Sequence, residues 1–345
     1  MDHTRRTFVA AGATALAAAT LYSAPPTPPT AWVRPPALKP GDTIAFVAPA
    51  GPADAARVAD GRARFEKLGF KVNVPATLPT RRDRYLAGTD AERAAEFNAA
   101  ARDKSVRAIV AIKGGYGLTR ILDQLDYAAL TADPKIVAGF SDLTGLHLAV
   151  ARHCRLVTFH SPMVQFGLYR DGDGYDFSND LFWRTLRADR YAKGGGGFAV
   201  PAPTGQPRPR GIVAGTARGR LVGGNLSLLG ATVGTPYEIE PDGNILFVED
   251  TGEKGYRVDR LFSQLRLAGL LARFAGVVLG SFDGTDDGEL AAVVRDYFGA
   301  SKVPVVAGYP VGHTPFNATL AHGARVELDA AAGTLTYLEA PVTLG

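Results

Sequence analysis

Three short stretches of the chain carry the side chains an acyl-transfer relay needs. The first, Gly139-Phe140-Ser141-Asp142, leaves an apolar run at 136–138 and enters an apolar-periodic segment at 143–153. A serine on such a strand-to-helix turn reads two ways. It caps the helix, its oxygen accepting from a first-turn N–H, or it is a nucleophile held at the end of a sheet on a tight elbow. Gly139 supplies the first glycine of the G-x-S-x-G elbow pattern, but Leu143 stands where the second is expected. The turn alone decides nothing, because a nucleophilic hydroxyl also needs a base and donors for its oxyanion.

Six histidines are the candidate bases. His3 belongs to the leader. His147 lies six residues beyond Ser141, a rotation of about 240° on a helix, and faces elsewhere. His153 ends the same helix, and His322 sits in a polar turn before a strand. His160 follows a strand and is a candidate lining residue of the cleft. His313, on the Gly- and Pro-rich loop 308–313 after an apolar strand, is placed as a loop-borne site residue is. The orienting acid belongs at the end of a buried strand, and NILFVED at 244–250 ends in Glu249 and Asp250. Capping of the next helix is the competing role there, and Glu253 is a less well-placed alternative. Lys113-Gly114-Gly115-Tyr116-Gly117 exposes backbone N–H groups. It matches neither the dinucleotide nor the P-loop spacing, so oxyanion donation fits it better than phosphate binding.

The elements that must position these groups alternate. Strand-like runs at 43–48, 70–74, 106–112 and 136–138 are separated by helical patterns at 53–68, 91–101, 118–125 and 143–153. That order predicts a parallel sheet with helices on both faces and ligands beyond the carboxyl ends of its strands. The expected fold is α/β: an N-terminal parallel-sheet domain over 32–168 and a C-terminal α/β domain over 211–345. Between them, 169–210 is rich in Gly and Pro and reads as a flexible linker or flap. In the second half, strands are expected at 245–248, 277–279, 305–307, 325–328 and 334–338, with helices at 256–270 and 288–298. No internal repeat is evident.

The chain opens MDHTRRTFVAAGATALAAATLYSAPP, with paired Arg5-Arg6, Phe8 and a short alanine-rich apolar run. This reads as a twin-arginine export signal over 1–31, followed by a proline-rich tether, and predicts a periplasmic location. No other stretch is long and apolar enough to span a bilayer. Without Arg5, Arg6 and Asp2, the 38 basic and 34 acidic side chains become 36 and 33. So mild a balance argues against nucleic-acid binding. Cys154 is the single cysteine, which excludes an internal disulfide and a cysteine-based metal site; neither a cofactor nor a metal is called for.

Taken together, KGGYGLTRILDQLDY (113–127), GFSDLTGLH (139–147), FHSPM (159–163), GRLVGGNLSLL (219–229), FVEDTGEKGYRVDRLFSQL (247–265) and GYPVGHTPFNATLAHG (308–323), with FVAPAGP (46–52) before them, resemble the LD-carboxypeptidase family. They occur in the family's order. The family includes muramoyl-tetrapeptide carboxypeptidases and a branch giving immunity to peptide-nucleotide microcins. The resemblance implies Ser141 as nucleophile, His313 as base and Glu249 as orienting acid, with the Asp142 and Gly115 N–H groups as oxyanion donors. It also implies an active site between the two domains and a homodimer. The expected substrate is a murein tetrapeptide cut before its terminal D-alanine. A carboxypeptidase must grip a free carboxylate, for which Lys113 is the candidate, with Tyr116 and His160 as further substrate contacts. Relatives commonly carry Arg at the position of Lys113, and lysine cannot make the bidentate grip.

Two other functions fit parts of the pattern. The same triad could hydrolyse a microcin-like acyl-adenylate, in which case an aromatic such as Trp183 or Tyr191 would stack on the base. A non-catalytic periplasmic binding protein would share the two-domain architecture and need none of the three residues as a set.

Overall fold

The computed structural model describes residues 30–172, 174–191 and 196–344. The export-signal reading falls almost wholly on 1–29, outside the described residues. Apolar runs with β-branched residues become strands, and the amphipathic segments between them become helices. The first half runs β1 (Thr43–Val47), α1 (Ala55–Lys67), β2 (Lys71–Asn73), α2 (Asp90–Arg102), β3 (Val106–Ala111), α3 (Tyr127–Ala132), β4 (Ile136–Gly139), α4 (Thr144–Cys154) and β5 (Thr158–His160). Asp54 caps α1, and a Thr89–Glu92 capping box starts α2, as side-chain acceptors at helix starts should.

After α5 (Tyr175–Leu186) come β6 (Arg210–Val213), β7 (Thr216–Asn225), α6 (Leu226–Thr232), β8 (Ile245–Thr251), α7 (Gly255–Leu267), β9 (Gly276–Asp283), α8 (Asp287–Phe298), β10 (Val305–Ala307), β11 (Leu320–His322), β12 (Arg325–Asp329) and β13 (Thr334–Tyr337). Two sheets result, ordered β11-β5-β4-β3-β1-β2 and β13-β12-β7-β8-β9-β10-β6. Strands β5, β4, β3, β1 and β2 pair in parallel, as do β7 to β10. Their interiors are buried on both faces, β4 throughout and β8 up to Asp250, which is why they read as continuous apolar runs.

Four local expectations need correction. The segment 169–210 is not simply a linker or flap, because α5 inserts Leu181, Phe182, Trp183 and Leu186 into the core. Its apolar face outweighs the turn-rich flanks. The helix expected at 118–125 is a pair of 3₁₀ turns. Leu118 N donates to the Asp142 carboxylate at its start, which pins the chain before a helix can propagate. His322 is not in a polar turn but buried at the end of β11. Finally, β11 pairs antiparallel with β5, Leu320 opposite His160, so the second half contributes a strand to the first sheet. One apolar cluster accordingly runs through both halves, joining Phe46 and Phe159 to Phe247, Val278 and Leu320.

Candidate functional site

Strand β4 ends at Gly139, whose φ is 156°. A Cβ there would lie 2.9 Å from Leu143 Cγ and 3.0 Å from Ala111 Cβ, so only glycine fits. Leu143, where the elbow pattern would have its second glycine, instead fills the space above Gly139. Ser141 follows with φ 64°, a conformation that costs a non-glycine residue about 1–3 kcal/mol. Neither the 3₁₀ turn Ser141–Leu143 nor α4 has a side-chain cap. The hydroxyl points to His313 instead, at 3.1 Å from Nε2.

The elbow is held from beneath. His147, wholly buried, donates from Nε2 to Gly139 O at 2.8 Å and accepts from Thr158 Oγ1 at Nδ1, also at 2.8 Å. Burial depresses its pKa to about 4, so it stays neutral and keeps that tautomer. From the other sheet, Asn225 N donates to Thr144 Oγ1 at 2.9 Å, which ties the first turn of α4 to the end of β7.

The glycine loop lies over the serine. A Cβ on Gly114 would stand 3.0 Å from Ser141 Cβ and 3.5 Å from Asp142 N. Gly51 N donates to Gly114 O at 3.0 Å. The fully buried Arg93 bonds Pro49 O and, at 2.8 Å, Gly117 O, clamping two loops together. The Asp142 carboxylate accepts from Leu118 N at 2.8 Å, and burial raises its pKa to about 6. The Asp142 N–H follows the serine directly, and Gly115 follows Gly114 in the loop that covers it. Reading the sequence missed Arg93, Thr144 and Gly51 as organisers. A glycine-rich turn signals its need for a clamp only when its spatial neighbours are known.

At the end of β8 the two acids separate. Glu249, wholly buried, holds His313 Nδ1 at 2.7 Å. Burial pushes its carboxyl above the usual range, and the bond and charge of His313 oppose that. Asp250 turns to α6, accepting from Ser227 N at 2.9 Å, Ser227 Oγ at 2.8 Å and Asn225 Nδ2 at 2.8 Å. It takes the helix-terminus role, while Glu249 faces the imidazole. Glu253 lies elsewhere, paired with Arg257.

Other expected contacts scatter. His160 is wholly buried between Phe140 and Phe247. It offers no surface to a ligand, and burial holds it neutral; the substrate-contact expectation is corrected. His153 stacks on Tyr127 at 4.4 Å. Lys113 and Tyr116 are exposed on the glycine loop, and Phe166 lies on the rim 6.0 Å from the His313 ring. Trp183 is packed face to face on Phe70 at 5.2 Å, and the Tyr191 hydroxyl donates to Thr185 O, so neither is available to stack on a base. Among the described residues no three His, Cys, Asp or Glu side chains form a metal site, and no helix is long and apolar enough to cross a membrane.

Comparison with known proteins adds a family. Residues 44–161 match the LD-carboxypeptidase N-terminal domain and residues 218–328 the LD-carboxypeptidase C-terminal domain. The "Probable murein peptide carboxypeptidase" of Bacillus subtilis is 33% identical over 90% of this chain and 96% of its own. The crystal structure of a muramoyltetrapeptide carboxypeptidase from Oxalobacter formigenes is 31% identical, with a TM-score of 0.71 over 85% of this chain and 97% of that one. The microcin C7 self-immunity protein MccF, in complex with aspartyl sulfamoyl adenosine, is 26% identical, with a TM-score of 0.83 over 90% and 100% of the two chains.

Proposed function

The chain belongs to the LD-carboxypeptidase family and is a hydrolase, and from that premise we propose that Ser141, His313 and Glu249 form a serine-type catalytic triad cutting the terminal D-alanine from murein tetrapeptides. The observation that carries the reading is the unbroken relay from Ser141 Oγ to His313 Nε2 at 3.1 Å and from His313 Nδ1 to Glu249 at 2.7 Å. His313 takes the proton of Ser141 as the hydroxyl attacks the scissile carbonyl. The oxyanion forms against the N–H groups of Asp142 and Gly115. Collapse breaks the amide bond, and His313 passes its proton to the departing amine of D-alanine. Water, deprotonated by the same imidazole, then attacks the acyl-enzyme and frees Ser141. Lys113 meets the terminal carboxylate as a point charge, and Tyr116 forms the adjoining wall.

Mass spectrometry of a defined tetrapeptide ending in D-alanine tests this. Wild type releases one alanine and Ser141→Ala releases none; an intact tetrapeptide with folded wild type would reject the reading. The reading includes an exported, homodimeric protein meeting stem peptides outside the cytoplasm. Recovery in the cytosol with the leader intact, or a monomer in sedimentation, would remove those parts.

A second reading, hydrolysis of an aminoacyl-adenylate conjugate by the same triad, is favoured by the likeness to MccF. It is weakened by the burial of Trp183 and the internal bond of Tyr191. Offering the protein an aminoacyl adenylate analogue with a cleavable amide beside the tetrapeptide separates the two.

A further inference from the structure

The strand that faces Glu249 carries a group whose position the triad reading does not use. Val248 of β8 pairs with Leu279 of β9, but Asp250 pairs with Phe282. Two residues of β9, Gly280 and Ser281, therefore pass opposite the single residue Glu249. Such a bulge re-aims side chains and is characteristic of sites beside active centres. Here it also carries the His313 loop: Ser281 N donates to Val311 O at 2.9 Å and Tyr309 N to Leu279 O at 3.0 Å. Gly280 leaves room for that approach, since a Cβ on it would stand 2.5 Å from Val311 O.

Among the described residues, Ser281 Oγ is buried without a hydrogen-bond partner, as is Glu249 Oε1. Both residues crowd the same glycine. A Cβ on Gly312 would collide with Ser281 Oγ and stand 3.0 Å from Glu249 Oε2. A buried hydroxyl beside a buried carboxylate, each with unused bonding capacity, is costly unless the two meet directly or through one water. The titratable groups facing Glu249 are His313 from the loop and Asp250 from its own strand; from β7, the Asn225 amide bonds Asp250 at 2.8 Å and also acts on the Glu249 carboxylate as a hydrogen-bonding neighbour that favours its charged form. Ser281 thus faces the carboxylate from β9 as a neutral donor.

We propose that Ser281 is a positioning residue that donates its hydroxyl hydrogen to Glu249 through one bridging water, and so holds the carboxylate against His313. The consequence for catalysis rests on the triad reading; the hydrogen bond itself does not. Its loss leaves the carboxylate freer to rotate and disfavours its charged form.

The test follows the carboxyl carbon of Glu249 by ¹³C NMR titration in wild type, Ser281→Ala and Ser281→Thr, alongside tetrapeptide kinetics. Ser281→Ala raises the Glu249 titration midpoint by about one unit. It also lowers kcat about tenfold with KM unchanged and moves the acid limb of the rate profile upward. Ser281→Thr, which keeps the hydroxyl, restores both. An unchanged midpoint in Ser281→Ala overturns the proposal, as does a fall in kcat with an unmoved acid limb that threonine fails to rescue, the mark of packing alone. A midpoint that shifts in Ser281→Ala while wild type is inert to tetrapeptide would uphold the hydrogen bond and reject the triad's substrate instead.

Discussion

The two parallel strands that end at the site deliver their residues by opposite means. β4 uses backbone strain: Gly139 at φ 156° and Ser141 at φ 64° lift the hydroxyl out of the sheet toward His313. β8 uses burial: Glu249 stays in the sheet with none of its surface exposed and holds the imidazole at 2.7 Å. On the proposed triad reading, strain presents the group that meets the substrate, whereas burial keeps the carboxylate away from it. The same contrast divides the histidines. His313 has both nitrogens engaged at the site, while His160 and His322 are buried with neither nitrogen bonded to protein.

Substitutions at the two strand ends should therefore fail differently. Ser141→Ala removes the group that β4 presents, and kcat is expected to fall by about 10⁴-fold or more with an unchanged circular dichroism spectrum. Glu249→Gln keeps the shape but removes the charge that steadies protonated His313, and the expected loss is about 10³-fold. The same rate in both wild type and Glu249→Gln would break the comparison at its buried end. Gly139→Ala attacks presentation through the backbone. It should cost about 2 kcal/mol in denaturant unfolding and slow turnover more than it weakens substrate binding. Asp250→Ala removes the α6 contacts and should cost a similar ~2 kcal/mol, with kcat within about tenfold of wild type; a loss as large as that of Glu249→Gln would show that the two adjacent acids had been assigned the wrong way round.

The smallest expected effect concerns the buried histidines. Burial depresses the pKa of His147 to about 4 and of His322 to about 3, from 6.5 in the unfolded chain. The unfolded chain thus binds more protons below 6.5, and stability from these groups is lost as pH falls from 6.5 toward 4 and 3. Asp142 works the other way. Its folded pKa of about 6 lies above the ordinary 3.8 of an aspartate, so its contribution is full below 3.8 and lost as pH rises through 6. Comparing Tm of wild type with His322→Leu cancels the carboxylates. The variant should gain on wild type steadily as pH drops from 6.5 to 4, and parallel curves would contradict the assignment.

Much of this architecture was legible in the sequence because parallel strands buried on both faces read as apolar runs, as at 43–47 and 245–248. Ser141, Glu249 and His313 could each be picked out by local context, an elbow glycine, a strand end and a glycine-rich loop. Their meeting could not be read from spacing, since it depends on β11 of the second half joining the first sheet and on the Thr144–Asn225 link. Polarity misled in the other direction. His160 and His322 looked available because histidine is usually solvated, yet tertiary packing buries both rings against Phe247. Helix α5 was hidden by its Gly- and Pro-rich flanks, whose turn signals say nothing of the aromatic face they enclose.

The central claim is that Ser141 is the nucleophile and that its reactivity depends on Glu249 from β8 and His313 from the loop after β10. Incubating wild type, Glu249→Gln and His313→Ala with a fluorophosphonate and mapping the adduct by peptide mass spectrometry tests it most directly. The account predicts one adduct, on Ser141, forming rapidly in wild type and at least about 10²-fold more slowly in either variant. An adduct on another residue, or equal rates in all three proteins, would contradict it.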